Sequence, residues 1–406
     1  MKRILFVDDE IKILEGLQRM LRPFRKQWDM TFTSCASEAL AILAASDYDV
    51  IVSDVRMPCM DGAELLESVR ERHPGMIRIV LSGTFEMEAA MRAVPVAHQF
   101  LSKPCDPEKL QAVIESCFEG GSMVVDSATR RLVAAIGELP AMPGTYAALV
   151  RALDDPEASL DQIGAIVESD VAVAAKVLQL VNSAFFGLTH EVATIPMAVG
   201  YLGFDVLKQL VVTVELFRTF ACERRVAGFS VEEIQRHSRC VAAIAAGFPL
   251  PRQQVAATSV AALLHDIGKL VLAVRLPEPF ERALEASLRE NRPLYVLEEE
   301  MTGTSHAEIG AYLLGLWGLP PAVVAAVSRH HRPIRATADQ TMDVSLAVYI
   351  ADMLEHEAAG KPVSLASEGR DGISMELHEW SEFLPAWRES AEQIVQREAQ
   401  CRPLGS

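Results

Sequence analysis

Ile4-Leu5-Phe6-Val7-Asp8-Asp9 is a run of four apolar residues that passes without interruption into two acids. A short unbroken run of this kind reads as a strand buried on both faces, and such strands belong to parallel sheets covered by helices. The signal recurs. Val50–Ser53, Ile77–Ser82 and Gln99–Ser102 are further buried strands and Met30–Thr33 is a weaker one, with helix-period segments between them. Asp61-Gly62-Ala63-Glu64 has the spacing of a capping box, and Asp106-Pro107 sets an N-cap before a proline at the first helical position. The alternation implies an α/β fold for residues 1–119, with five parallel strands between layers of helices. In such sheets, sites form at the carboxyl ends of the strands, near the point where strand order reverses.

Those ends carry the chemistry. Asp8 and Asp9 end the first strand, Asp54 the third and Ser82 the fourth, while Lys103 follows the fifth. Three carboxylates at one edge repel one another, so the set makes sense around a cation, and hard oxygens suit Mg²⁺. Lys103 would neutralise a phosphoryl oxygen, and the Ser82 hydroxyl could hydrogen-bond another. Taken singly, each acid also reads as a solvated strand end.

The segment resembles a response-regulator receiver domain over its full length, which implies a flavodoxin-like fold. By that resemblance Asp54 accepts phosphate from a partner histidine kinase. Asp8, Asp9, Asp54 and the backbone carbonyl of Arg56 would hold Mg²⁺. Ser82 and Phe100 would be the switch positions, and Lys103-Pro104 matches a step that is usually cis in the family. The Arg56 side chain, two residues beyond the acceptor, also reads as solvent-facing.

The 406-residue chain is long enough for two or three domains. Its formal charge of −17 argues against a broad nucleic-acid surface, which needs Lys and Arg to neutralise phosphates. Seven scattered cysteines without a CxxC pair suggest neither a disulfide framework nor a thiolate zinc site. The first residues lack a signal-peptide pattern, and no uninterrupted apolar run reaches transmembrane length, since Lys176 breaks the longest candidate. The expectation is a cytosolic protein with no membrane and no nucleic-acid partner.

Glu119-Gly120-Gly121-Ser122 breaks the last helix of the first domain, and residues 120–130 read as a short linker. From residue 131 the strand pattern is gone, and an all-α domain is expected over 131–360. Its first half, 131–225, opens helices at Ser159-Leu160-Asp161-Gln162 and Val171 and continues through Thr194–Tyr201 and Leu207–Phe217. His190 reads there as a solvated loop residue and Phe185-Phe186 as core. The second half, 226–360, gathers ligand-type residues on helices: His237, His265-Asp266, His306, His330-His331 and Asp352. In the tail, 361–406, Leu377, Trp380, Phe383, Leu384, Trp387, Ala391 and Ile394 form an apolar stripe that would dock on the domain or on a dimer partner.

Leu139-Pro140-Ala141-Met142-Pro143, Ile166-Val167-Glu168-Ser169-Asp170, Leu180-Val181-Asn182-Ser183-Ala184 and Ala198-Val199-Gly200-Tyr201-Leu202-Gly203 resemble the HDOD domain, a regulatory output module. Leu263-Leu264-His265-Asp266-Ile267-Gly268-Lys269 resembles the signature of the related HD phosphohydrolases. That kinship implies a one- or two-metal site built from His237, His265, Asp266, His306, His330, His331 and Asp352. Asp266 would bridge two metals, and Lys269 would meet phosphate. Nitrogen and oxygen ligands leave Fe, Mn, Mg, Ni and Zn all open.

Other roles compete. A His at a helix end can bond backbone carbonyls, and Asp266 can cap a helix or pair with Lys269. The cyclic-dinucleotide phosphodiesterases of the superfamily carry Gly-Tyr-Pro after the second His pair, where this chain has His331-Arg332-Pro333-Ile334-Arg335. Two functions therefore stand. One is a phosphorylated signalling protein whose HDOD domain works by binding, with a histidine kinase, a homodimer mate and a downstream protein as partners. The other is a phosphorylation-regulated metal phosphohydrolase.

Overall fold

The computed structural model describes residues 1–83, 92–119, 127–136, 143–153, 158–183, 194–203, 226–333, 342–361 and 380–400, with isolated positions between them. Gly120-Gly121-Ser122, Leu139–Met142, Phe185-Phe186, His190, Leu377 and most of the expected 207–217 helix lie outside the described residues.

Five strands form one parallel sheet: β1 Lys2–Val7, β2 Trp28–Thr33, β3 Val50–Asp54, β4 Ile77–Gly83 and β5 Gln99–Lys103, in the order β2-β1-β3-β4-β5. Each expected strand is present and one or two residues longer. β2 starts at Trp28 because that buried ring stacks on Phe24, 5.1 Å between centroids, and pins the strand's entry. Among the described residues of this domain the helices are α1 Ile11–Met20, α2 Ala36–Ala45, α3 Gly62–Arg72 and α4 Pro107–Glu119. Both halves of the Asp61–Glu64 capping box form. Strand order reverses at β1, so the crevice at the carboxyl ends of β1 and β3 is the switch point of the sheet.

The rest is helical. The first helices are α5 Ser127–Ala134, α6 Pro143–Leu153, α7 Leu160–Glu168 and α8 Val171–Asn182. Residues 195–203 are helical as well. Then come α9 Val231–Ala245, α10 Arg252–Leu264, α11 Ile267–Arg275, α12 Pro277–Glu290, α13 Leu294–Thr302, α14 His306–Leu316, α15 Pro321–Arg329, α16 Val344–Ala358 and α17 Leu384–Gln400. The linker expected without pattern is in part helical, since α5 begins within it. The tail docks as its stripe implies: Trp387 packs on Phe248, and Arg239 and Arg388 pair with Glu398 and Glu357.

Arg252–Arg275 is long and apolar enough to cross a membrane by length and composition, although His265, Asp266 and Lys269 interrupt its apolar run. Its most apolar window is 78% buried inside the protein, as a core helix pair would be.

The packing of α11 on α14, just after the break at His265-Asp266, depends on a glycine. A Cβ on Gly268 would lie 1.9 Å from the His306 carbonyl oxygen and 2.9 Å from the Gly310 nitrogen, so α11 and α14 touch backbone to backbone. Gly268→Ala is expected to cost about 3 kcal/mol, because neither backbone can retreat. Denaturant unfolding checks this, and an unchanged midpoint would contradict the close approach.

Candidate metal centres

The sheet brings the first set of acids together. Parallel register places Val7 beside Ser53, Asp54 beside Leu81 and Gly83 beside Lys103, so the strand ends align. Asp8 and Asp54 are buried, at 1% and 4% exposure, and Asp9 is exposed. Ligand oxygens of all three lie within 4.8 Å of one another. Lys103 Nζ lies 2.7 Å from Asp8 Oδ2 and also pairs with Asp54 Oδ1. Burial alone would push this ammonium's pKa down, but hydrogen bonds to Asp54 and Asp8 outweigh that and raise it. The Arg56 amide donates to Asp54 Oδ2 at 3.2 Å, while its side chain is exposed. Gly62 lets the loop return against the end of β3: a Cβ there would lie 2.0 Å from the Asp54 backbone carbonyl oxygen. Ser82 and Phe100 are buried on the neighbouring strands, and the Lys103-Pro104 bond is cis. Three clustered oxygen donors beside one ammonium fit a hard divalent cation such as Mg²⁺.

The second set converges from six helices and their ends. His237 Nε2 is 3.1 Å from His265 Nε2, 3.1 Å from Asp352 Oδ1 and 3.6 Å from Asp266 Oδ2. On the other side of Asp266, Oδ1 lies 3.4 Å from His306 Nε2 and 3.7 Å from His330 Nε2. His331 Nε2 is 2.8 Å from His306 Nε2, and its ring stacks on Tyr295. All seven ligand-type residues expected from the sequence therefore meet in one cluster, and Asp266 stands between its halves.

The opposite ring nitrogens are held from behind. His237 Nδ1 bonds Glu355 at 2.7 Å and His306 Nδ1 bonds Glu298 at 2.6 Å. His265 Nδ1 donates to the Ala262 carbonyl at 2.7 Å and His330 Nδ1 to the Val327 carbonyl at 2.6 Å. Fixing Nδ1 in this way aims Nε2 inward, the usual support of a metal-ligating imidazole. Asp266 Oδ1 and His330 Nε2 are buried without a hydrogen-bond partner among the described residues. Orphaned lone pairs of this kind suit a divalent metal. Lys269 supplies part of the compensation through a 2.6 Å bond to Asp266 Oδ2, and Asp266 does not cap its helix.

Charges follow burial. Desolvation drives His330 down to about 3 and also lowers His265 and His331, which keeps them neutral and ligand-ready. His237 is equally desolvated, yet hydrogen bonds to Asp352 and Glu355 lift it to about 9. Glu298, Glu355 and His356 escaped the sequence reading. His356 Nδ1 sits 3.1 Å from Asp352 Oδ1. A signal existed: Glu355 and His356 are three and four residues beyond Asp352, hence on its face of α16. Glu298 likewise lies three residues after buried Tyr295 on α13.

A family model of the response regulator receiver domain matches residues 4–115, and one of the HDOD domain matches residues 139–333. A Treponema pallidum protein described only as uncharacterized is 28% identical over 211 residues, covering 51% of this chain and 41% of that protein. The hydrogenase transcriptional regulatory protein HoxA of Cupriavidus necator is 34% identical over 125 residues, 30% of this chain and 25% of its own length. The chain thus spans well under half the length of these curated relatives. Among solved structures, the MmoQ response regulator from Methylococcus capsulatus is similar at 22% identity and a TM-score of 0.44, over 60% of this chain and 93% of that one.

Proposed function

We propose, for a chain that joins a response regulator receiver domain to an HDOD domain, that phosphoryl transfer from a histidine kinase to Asp54 sets the state of the helical domain. That domain then signals by binding another protein, with a second copy of the chain as a further partner. The domains are taken to run over 1–119 and 131–360, with 120–130 as linker and 361–406 as tail. The observation that carries the reading is the Lys103 ammonium shared by Asp8 and Asp54 at the switch point of the sheet.

Asp54 would attack phosphorus as the bond to the kinase imidazole breaks, giving an acyl phosphate and a free imidazole. Asp8, Asp9, Asp54 and the Arg56 carbonyl would hold Mg²⁺, which when bound neutralises phosphoryl oxygens. Lys103 would exchange Asp54 for a phosphoryl oxygen, and Ser82 would donate its hydroxyl to another. The test is intact-mass analysis after acetyl phosphate treatment. A gain of one phosphoryl group that depends on Mg²⁺ is expected, and no gain with Mg²⁺ present would sink the reading.

A second reading, a metal-dependent phosphohydrolase, is favoured by the way Asp266 divides its two oxygens between two groups of imidazoles. His237, His265, Asp266 and Asp352 would hold one metal, and Asp266, His306, His330 and His331 a second. Metal there would polarise phosphoryl oxygens and acidify water. Less than about a tenth of a metal per chain after Mn²⁺ or Fe²⁺ loading would remove this reading, since a preformed site of this donor set should fill.

A further inference from the structure

The boundary between the two domains is stitched by side chains of each domain that cap the other's helices. Arg78, the second residue of β4, is fully buried. Its Nη2 donates to the carbonyl of Ala134, the last residue of α5, at 2.9 Å, while Nε and Nη1 donate to the Val96 and Met76 carbonyls. His98 Nδ1 accepts the Arg78 amide proton at 3.0 Å, so the ring carries its own proton on Nε2, which donates to the same Ala134 carbonyl at 3.0 Å. Gln99 Nε2 donates to the carbonyl of Leu316, the last residue of α14, at 2.8 Å.

The helical domain reciprocates. Tyr312 Oη donates at 2.9 Å to the Cys117 carbonyl, in the last turn of α4. Gln179 Nε2 donates to the His98 carbonyl at 3.0 Å and the Ala97 carbonyl at 3.3 Å. Lys176 Nζ reaches the Val94 carbonyl at 3.5 Å and lies 4.4 Å from the Trp317 ring centre. Carbonyls in a helix's last turn have no partner within the helix. Those of Ala134, Leu316 and Cys117 obtain theirs across the domain boundary, so separating the domains would strip all three.

Several of these contacts, those of His98 and Gln99, meet at the start of one strand. β5 begins at Gln99, runs through the switch position Phe100 and ends at Lys103, the residue that grips Asp54. We propose that the reciprocal caps form an intramolecular latch holding the helical domain on the unphosphorylated receiver. Phosphoryl transfer to Asp54 draws on Lys103, shifts β5 and opens the latch, freeing the face formed by α8 and α14. This rests on the reading of Asp54 given above.

The test uses the full chain and the triple variant Gln99→Leu/Gln179→Leu/Tyr312→Phe, which removes three donors and touches neither cluster of ligand-type residues. Circular dichroism confirms which chains are folded, and the three single variants stand in should the triple variant fold poorly. By small-angle X-ray scattering the wild type is expected to be compact and to expand with Mg²⁺ and beryllium fluoride, an acyl-phosphate mimic. The triple variant is expected to be expanded under both conditions, and each single variant partly so. Acyl phosphate formation from acetyl phosphate is measured on the same preparations. If it forms normally while wild-type scattering stays unchanged by the mimic, the latch is overturned and Asp54 phosphorylation stands. If no acyl phosphate forms, the parent reading falls. Folded latch variants as compact as wild type overturn the latch in either case.

Discussion

Asp54→Asn leaves the chain unable to hold an acyl phosphate, with acceptance from a phosphorylated kinase or from acetyl phosphate falling at least about 1,000-fold. The carboxylate is the nucleophile, and an amide of the same shape has no charged oxygen to attack with. The substitution should not damage the fold. It removes one of three clustered acids, relieves their mutual repulsion and leaves Lys103 its 2.7 Å contact with Asp8. Thermal unfolding is therefore expected to be unchanged or slightly raised. Filter-bound radiolabelled phosphate measures the first effect, and residual labelling above a few per cent would mean another residue is the acceptor.

Asp266→Asn is expected to strip metal from the whole histidine cluster, lowering affinity by more than about 100-fold. Glu355→Gln is expected to cost only about 10- to 100-fold, the usual range for a group behind a ligand. The contrast comes from position: Asp266 faces His237 and His265 with one oxygen and His306 and His330 with the other, whereas Glu355 backs His237 and lies 3.8 Å from His356, outside the seven ligand-type residues. Affinity should also depend on pH. His237 is held protonated to about 9 by Asp352 and Glu355, and a ligating imidazole must lose that proton. Binding that displaces one proton therefore tightens by about tenfold per unit as pH rises towards that value. Metal content of dialysed protein at several pH values checks both statements. Equal loss in the two variants would contradict the bridging place given to Asp266.

The strands were legible because a doubly covered parallel sheet leaves an unbroken apolar run, and Ile4–Val7 is fully buried as that pattern demands. Helix starts were legible where capping chemistry is local: Asp61, Ser159 and Ser305 each form the reciprocal box their spacing suggests. At Ser230 only half of it forms, since the hydroxyl accepts from Glu233 while it donates to Glu232. The ligand-type residues could be named because imidazoles and carboxylates stand out on apolar helices. Their supports could not, since Glu298 sits among three consecutive glutamates and only the fold shows which one turns inward.

Contacts between the domains left a fainter trace. Arg78 interrupts a buried strand and Lys176 interrupts an apolar helix, and neither has a local reason in the sequence. In the fold each is a buried donor to a carbonyl of the adjoining segment or domain. A cation inside an otherwise apolar run marks a polar group that must be met somewhere, and only the packed structure says where.

Phosphorylation at Asp54 is expected to reach the second domain. Amide hydrogen exchange over residues 139–333, compared between acetyl-phosphate-treated wild type and Asp54→Asn, measures this most directly. The expected result is a change in the wild type alone, strongest in α8 and α14. Identical exchange in the two proteins, with the wild type shown to carry its phosphoryl group, would contradict it.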